Sequence, residues 1–421
     1  MSERFRPIGG RLLTPHFYFL GLLLLIAAWF VAKRFIFGIG AVSNLSDGFP
    51  WGIWITYDVV TGTAIACGGY AMALMVYVFN RGQFHPMIRA ALLTSVFGYT
   101  LAGASIIVDV GRWWQLYNVF LPQYMNLNSV MLEVALCVTL YTVVLWIEFS
   151  PTILEAMQAK RWLRNLRHFL FIAIGLGILL PTMHQSSLGS LLIIAGDKVH
   201  PLWQTNIIPL LFLLTAITMG YAIVVFESLY ASVNLRRPLE TALLSKISAV
   251  IPWLLIIYLV LRIGESVISG DILFLFRGGS EPLLFMLEVA LFVYVIRHLR
   301  DEEQRVRPTV LFWTSLAVLL GGALYRFDAF MIAFDPGPGW HYFPAVGEMM
   351  ITIGIVAFEI MAYLFFVKMT PVMMVGLGES GSAVGLSGAS SGQQPATTAS
   401  DRLSGQTRGE GGFPPRAVTS A

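Results

Sequence analysis

Apolar and polar positions alternate along this chain on a long scale: ten hydrophobic stretches are separated by short polar segments. They run approximately over 17–37, 55–79, 88–110, 128–148, 167–183, 207–229, 247–268, 283–298, 309–331 and 347–369, and most approach the roughly 20 residues that carry a helix across a bilayer. Pro15, Pro86, Pro209, Pro252 and Pro282 stand at or near stretch starts, where a helix loses nothing by the missing N–H. The expected fold is an all-α polytopic membrane protein with about ten transmembrane helices. Residues 1–16 precede the first span, 17–370 hold the membrane domain, and 371–421 form a tail. From about Gly376 that tail is rich in Gly, Ser, Thr, Pro and Gln without apolar periodicity, and reads as a disordered extension.

The fourth stretch is interrupted by Glu133 and Glu148, one near each end. Their separation returns Glu148 to within about 60° of Glu133 and roughly 22 Å along the axis, so one helix side carries an acid near each membrane surface. Met131-Leu-Glu133-Val-Ala-Leu136 recurs as Met286-Leu-Glu288-Val-Ala-Leu291. Asp109-Val-Gly-Arg112 precedes the first copy and Arg262-Ile-Gly-Glu265 the second, with the charges exchanged. This pairing predicts a duplicated hairpin and two pseudo-repeated four-helix bundles, about 17–150 and 167–300, with an extra hairpin at 309–369.

Lys and Arg set the orientation. Alternate connections hold Arg4, Arg6 and Arg11; Arg81 and Arg89; Lys160, Arg161, Arg164 and Arg167; Arg236, Arg237 and Lys246; and Arg297, Arg300, Arg305 and Arg307. The other connections hold little beyond Arg112, Lys198 and Arg277, with Lys33 and Arg34 at the far end of the first span. Both termini are therefore expected in the cytoplasm. The opening Met1-Ser-Glu-Arg-Phe-Arg resembles a charged leader, but no small-x-small cleavage site follows, and a retained first span is expected.

Composition narrows the chemistry. Charged residues make up only 12% of the 421 positions and hydrophobic ones 57%, against about 25% charged in soluble domains. The net charge of +3 reflects basic loops rather than a nucleic-acid footprint. Cys67 and Cys137 both fall inside apolar stretches, so neither an iron–sulfur cluster nor a disulfide framework is expected. No glycine-rich nucleotide fingerprint and no metal site stand out. His16, His168 and His298 lie near the inner surface while His184 stands nearly alone at the outer level, which argues against a bis-histidine haem.

The remaining chemistry lies in ionisable residues within the spans. Asp58, Asp109, Arg112, Glu133, His184, Arg262, Glu265, Glu288, Arg326, Asp328 and Glu348 are placed near outer ends; His168, Glu148 and Glu227 near inner ends; Glu359 towards mid-depth. Asp109/Arg112 and Arg262/Glu265 are spaced to pair on their own helices. Interhelical salt bridges account for some of these charges. The surplus of acids at the outer level suggests proton handling or a polar ligand site. Outer loops carry Trp51, Trp54, Trp113, Trp114, Trp203 and Trp340, six of the eleven tryptophans. They form either an interfacial belt or a platform for an extracytoplasmic partner, with Trp51, Trp113, Trp114 and Trp203 as docking candidates.

Asp47-Gly-Phe-Pro-Trp-Gly-Ile-Trp54, Ala66-Cys-Gly-Gly-Tyr70, Val78-Phe-Asn-Arg-Gly-Gln-Phe-His-Pro86, Pro181-Thr-Met-His-Gln-Ser-Ser-Leu-Gly-Ser190 and Lys198-Val-His-Pro-Leu-Trp203 resemble the NrfD/PsrC family of membrane subunits, over essentially the whole chain to about residue 370. The resemblance implies a subunit of the bacterial cytoplasmic membrane without its own redox centre, reacting with quinone near the outer face. Electrons would pass between that quinone, menaquinone or ubiquinone, and an extracytoplasmic iron–sulfur protein serving a catalytic subunit such as a NiFe hydrogenase. A quinone pocket is then expected under the outer loops at Asp109, Arg112 and His184, although His184 also reads as a helix-end cap. Glu133 is the candidate proton relay, with Glu148 and Glu227 marking the cytoplasmic end of a longer route. The alternative for Glu133 is a structural pair with an arginine. A secondary transporter or a passive membrane anchor are the competing readings.

Overall fold

The sequence prescribes helices at nearly every apolar stretch, and a computed structural model, which describes residues 5–234 and 241–373, has ten that are long and apolar enough to span a membrane. They are α1 Pro15–Phe37, α2 Trp54–Val78, α3 Gly82–Asp109, α4 Val130–Ala156, α5 Leu170–Lys198, α6 Ile208–Asn234, α7 Thr241–Ser269, α8 Glu281–Leu299, α9 Pro308–Ile332 and α10 Val346–Met369. The expected tail beyond residue 373, and Arg4, Arg236 and Arg237 of the basic segments, lie outside the described residues. Local signals fix several ends. The Thr14 hydroxyl accepts from Phe17 N ahead of Pro15, Ser129 caps α4 by accepting from Leu132 N, and Gly270 closes α7 in a left-handed conformation (φ 84°).

Two ends differ from expectation. α4 continues past Glu148 through Pro151 to Ala156. The α-helix of α5 continues from Leu170 to Ala195 rather than stopping near 183. Its polar run stays helical because the serines bond back to their own helix: Ser186 donates to Thr182 O, Ser187 to Met183 O and Ser190 to Ser186 O. α2 is irregular, with π-helical turns over Trp54–Thr61 and Leu74–Val78 and a restart at Gly68. A third π-helical turn, Asp328–Ile332, ends α9. Such turns concentrate at functional sites.

Packing groups the helices as α2–α5 and α6–α9, two four-helix bundles in which each helix meets its neighbours and the first meets the last. α1 pairs with α10, and this pair lies against α3 and the start of α2. The two copies of the hexapeptide lie on α4 and α8, in the hairpins α3–α4 and α7–α8. The bundle limits are shifted one span from the expected 17–150 and 167–300, and the extra pair is α1 with α10 rather than the hairpin 309–369.

α2 and α6 are the central helices, 78% and 72% buried over their apolar windows against 11% for α1. Their close crossing depends on Gly220, where a Cβ would stand 2.5 Å from the Cys67 carbonyl oxygen. Arg326 ties the bundles together, donating to Val60 O (3.0 Å) and Phe212 O (2.5 Å). On one side the loops are aromatic and joined to each other: His200 N donates to Ala333 O and Asp335 N to Lys198 O. On the opposite, basic side, Ile8 N donates to Val367 O and Arg89 pairs with Glu155 at 2.7 Å.

Candidate functional site

Where α1, α2, α3 and α10 meet near the aromatic side, four polar groups collect. The buried Arg34 guanidinium donates to Val108 O and Val110 O, both at 2.6 Å, closing the carbonyl end of α3 beside the Asp109 carboxylate. Glu348, in the first turn of α10, accepts from Tyr342 Oη (2.6 Å), Asn44 N (3.0 Å) and Ala345 N (2.7 Å). Burial, reinforced by its bond to that carboxylate, pushes the Tyr342 phenol above its usual range and keeps it a donor. Asp58, on the first π-helical turn, accepts from Ser105 Oγ and Thr352 Oγ1, each at 3.2 Å. Asp109 lies close enough to Glu348 for their charges to interact, and its buried Oδ1 has no protein partner.

A groove of about 420 Å³ leads to this cluster between α1 and α10. Leu20, Leu23, Ile53, Met349, Ile353, Val356, Ala357 and Ile360 line it, with Tyr57 and Thr352 as the polar exceptions. Thr352 links the two features, since it lines the groove and donates to Asp58. The arrangement offers an apolar slot that ends at acids able to exchange protons.

The residues expected to form the pocket separate. Asp109 belongs to the cluster. Arg112 is exposed beyond the end of α3, and no Asp109–Arg112 pair occurs among the described ion pairs. His184 is not at the outer level: with α5 extended, it lies about 16 Å from the Ala195 end, fully buried. Its Nδ1 faces Leu180 O and its Nε2 the Tyr99 hydroxyl, both at 2.8 Å, so the ring donates to the carbonyl and accepts from the phenol. It is a satisfied core histidine.

The three relay candidates fall on two different interfaces. Glu133, in the first turn of α4, accepts from Ser187 Oγ of α5 (2.8 Å) and has no arginine partner among the described ion pairs. Glu148 faces Gly177 of α5, where a side chain would collide with its Oε1. That oxygen is buried without a partner, and the residue lines a basic-side cleft of about 920 Å³. Glu227 instead meets α3, accepting from Thr94 Oγ1 at 2.5 Å.

The tryptophans divide as well. Trp51 is 8% exposed and donates to Phe330 O, while Trp203 is wholly buried against Phe285 and the Arg262 guanidinium. These two hold the loops in place and offer no docking surface. Trp113 and Trp114, 41% and 58% exposed, continue into exposed Tyr117, Phe120 and Tyr124. Arg262 also departs from expectation, pairing across to Glu288 (3.4 Å) rather than along its helix to Glu265. Sequence reasoning missed the roles of Arg34 and Tyr342, whose partners are remote in the chain.

The sequence model described as "Polysulphide reductase, NrfD" matches residues 41–333. The chain is 44% identical over 376 residues, 89% of its length and 96% of the relative's, to the "Probable Ni/Fe-hydrogenase 2 b-type cytochrome subunit" of Escherichia coli (strain K12). It is 30% identical over 164 residues, 37% of each protein, to the "Menaquinone reductase, integral membrane subunit" of Nitratidesulfovibrio vulgaris. It is 21% identical over 413 residues, covering 82% of this chain and 94% of the relative, to a selenate reductase subunit of Mesobacillus selenatarsenatis. The first of these names raises b-type haem. Of the seven histidines, His184 has both ring nitrogens engaged, and His16, His85, His168, His200, His298 and His341 lie at helix ends or in loops. By its sequence match, its ten membrane-spanning helices and the redox subunits it is similar to, the chain belongs to the NrfD family of integral membrane redox subunits.

Proposed function

We propose that this protein is the quinone-reactive subunit of a respiratory complex in the bacterial cytoplasmic membrane, with its basic side and both termini in the cytoplasm. Electrons pass between quinone, menaquinone or ubiquinone, and an extracytoplasmic iron–sulfur protein attached to a catalytic subunit of the NiFe hydrogenase type. The partner docks on the aromatic side at Trp113 and Trp114. The observation that carries the reading is the groove between α1 and α10, apolar along its length and ending at the Thr352–Asp58 hydrogen bond. Its size and lining suit an isoprenoid quinone entering from the bilayer. The headgroup then reaches Asp58, with Asp109 and Glu348 behind it. Arg112 stands at the rim, and His184 supports the bundle from within.

Reducing a quinone adds two electrons and two protons, so each carbonyl oxygen needs a group able to deliver a proton. Acids at membrane depth without cationic partners suit that task. Glu133 and Glu148 on α4 and Glu227 on α6 are the further proton-handling residues, in two files rather than one. Asp58→Asn and Met349→Trp test the site in the complex purified with its partners. Asp58→Asn keeps the hydrogen bonds but cannot deliver a proton, and lowers turnover with 2,3-dimethyl-1,4-naphthoquinone by about 100-fold. Met349→Trp fills the groove and raises the KM for that quinone. Unchanged kinetics in both variants contradict the assignment.

A further inference from the structure

The first bundle is open at its basic end. Tyr70 Oη and Thr182 Oγ1 join α2 to α5 at 2.7 Å. From that level to the basic side, a cleft of about 920 Å³ lies among α2, α3, α4 and α5. Gly69, Ala73 and Tyr77 follow its wall along α2 through roughly 12 Å of depth. Leu92 of α3 and Ile174 of α5 make the interior apolar, while His85, Arg89 and Lys160 make the mouth polar. An apolar slot with a cationic mouth at a membrane surface has the polarity of an anionic amphiphile.

The short helix Lys160–Arg167, which joins α4 to α5, borders the mouth. By helical spacing Trp162, Leu163 and Leu166 share one side of it, and Lys160, Arg161 and Arg164 the other. Leu163 and Lys160, at the boundary between the two sides, both line the cleft. Lys160 and Arg164 stand one turn apart, close enough to hold one phosphate between them. Lys160, Arg161 and Arg164 are exposed and belong to no ion pair among the described residues. The sequence supplies no acid between Glu155 and Asp197 to balance them. Of the acids on the cleft, Glu155 is paired with Arg89, and Glu148 turns its Oε1 onto Gly177 at the inner end. The second bundle differs. Its basic loop carries Asp301, Glu302 and Glu303, and Arg305 there donates to Leu299 O (2.9 Å) and lies 3.9 Å from Glu302. The charge beside the cleft is left for something outside the chain.

We propose that the cleft holds one anionic phospholipid of the basic-side leaflet, with its phosphate at Lys160 and Arg164 and its acyl carbons along Leu92 and Ile174. Each Lys or Arg at a membrane surface adds affinity for anionic headgroups, and a pocket between spans adds the burial of a chain. A zwitterionic phospholipid fills the same slot but gains less from the uncompensated cations. The bound lipid closes the open end of the bundle, which distinguishes it from lipid that only surrounds the spans. The site is separate from the quinone groove, which lies between α1 and α10.

The test uses the whole complex, stripped of lipid in detergent and titrated with dioleoylphosphatidylglycerol or dioleoylphosphatidylcholine. Native mass spectrometry counts the lipid bound. The wild type is expected to retain phosphatidylglycerol at concentrations where phosphatidylcholine is lost. The double variant Lys160→Gln/Arg164→Gln weakens that binding at least about tenfold. Ile174→Trp, which fills the slot, abolishes it. Arg307→Gln, at an exposed cation on the basic side of the second bundle, leaves it unchanged. Equal retention of the two lipids, or wild-type binding in the double variant, overturns the site. Inorganic phosphate that displaces the lipid at equal concentration marks a simple anion site and overturns it too. If Ile174→Trp fails to assemble, the variant at the two exposed cations decides.

Discussion

Buried carboxylates occur in two kinds of surroundings in this molecule. In the second bundle, Glu288 accepts from the Tyr258 hydroxyl at 2.6 Å and pairs with Arg262, itself enclosed by the rings of Trp203, Phe285 and Tyr325. Around α3, by contrast, Asp58 and Glu227 accept from hydroxyls and belong to no ion pair among the described residues. All three are carboxylates within the spans, and the difference lies in the counter-ion. A paired acid is fixed in charge and holds helices together. An unpaired one is free to gain and lose a proton. The recurring hexapeptide carries the same contrast, because Glu133 accepts from Ser187 and, unlike Glu288, belongs to no ion pair among the described residues.

The sharpest way to break this comparison is to remove the cation. Arg262→Met strands Glu288 and is expected to destabilise the protein by about 3–5 kcal/mol, read as a lower unfolding midpoint of the purified complex. Asp58→Asn, by contrast, keeps its hydroxyl partners and leaves that midpoint close to wild type. Equal losses in the two variants contradict the division into structural and proton-handling acids.

Next in size is the docking surface. Glutamates at both Trp113 and Trp114 are expected to release the partner subunits while the protein stays inserted, measured by co-purification. Trp203→Ala instead removes a buried ring beside Arg262, and should cost about 3–5 kcal/mol of stability before it affects docking. Retained assembly in the Trp113/Trp114 double variant would leave those side chains as an interfacial belt.

Smaller effects sharpen the contrast between the hairpin copies. Glu133→Gln keeps the Ser187 hydrogen bond and is expected to lower quinone turnover several-fold without loss of stability, whereas Glu288→Gln weakens the Arg262 pair. Tyr342→Phe deletes one donor to Glu348, and about 1 kcal/mol of that cluster's stability, which should show as a modest rise in quinone KM.

Much of the architecture was legible in the sequence because bilayer thickness turns hydrophobic length into helix count. Helix ends were less legible. The Met183–Ser190 run reads as a polar boundary, yet its serines satisfy themselves on their own backbone and leave α5 free to continue. That extension moves His184 to the interior. The depth of Asp109 in its span marked it as a candidate, and the structure places it in the polar cluster near Glu348. Its neighbours were not legible, because Asn44 meets Glu348 and Arg34 meets Val108 across long stretches of chain, beyond any local periodicity.

The most direct test of the proposed quinone site is photolabelling of the intact complex with an azido-naphthoquinone, followed by peptide mapping. The account predicts label on Tyr57 and within Met349–Ile360, suppressed by excess unlabelled 2,3-dimethyl-1,4-naphthoquinone. Label concentrated around His184 on α5, with Met349–Ile360 untouched, would contradict it.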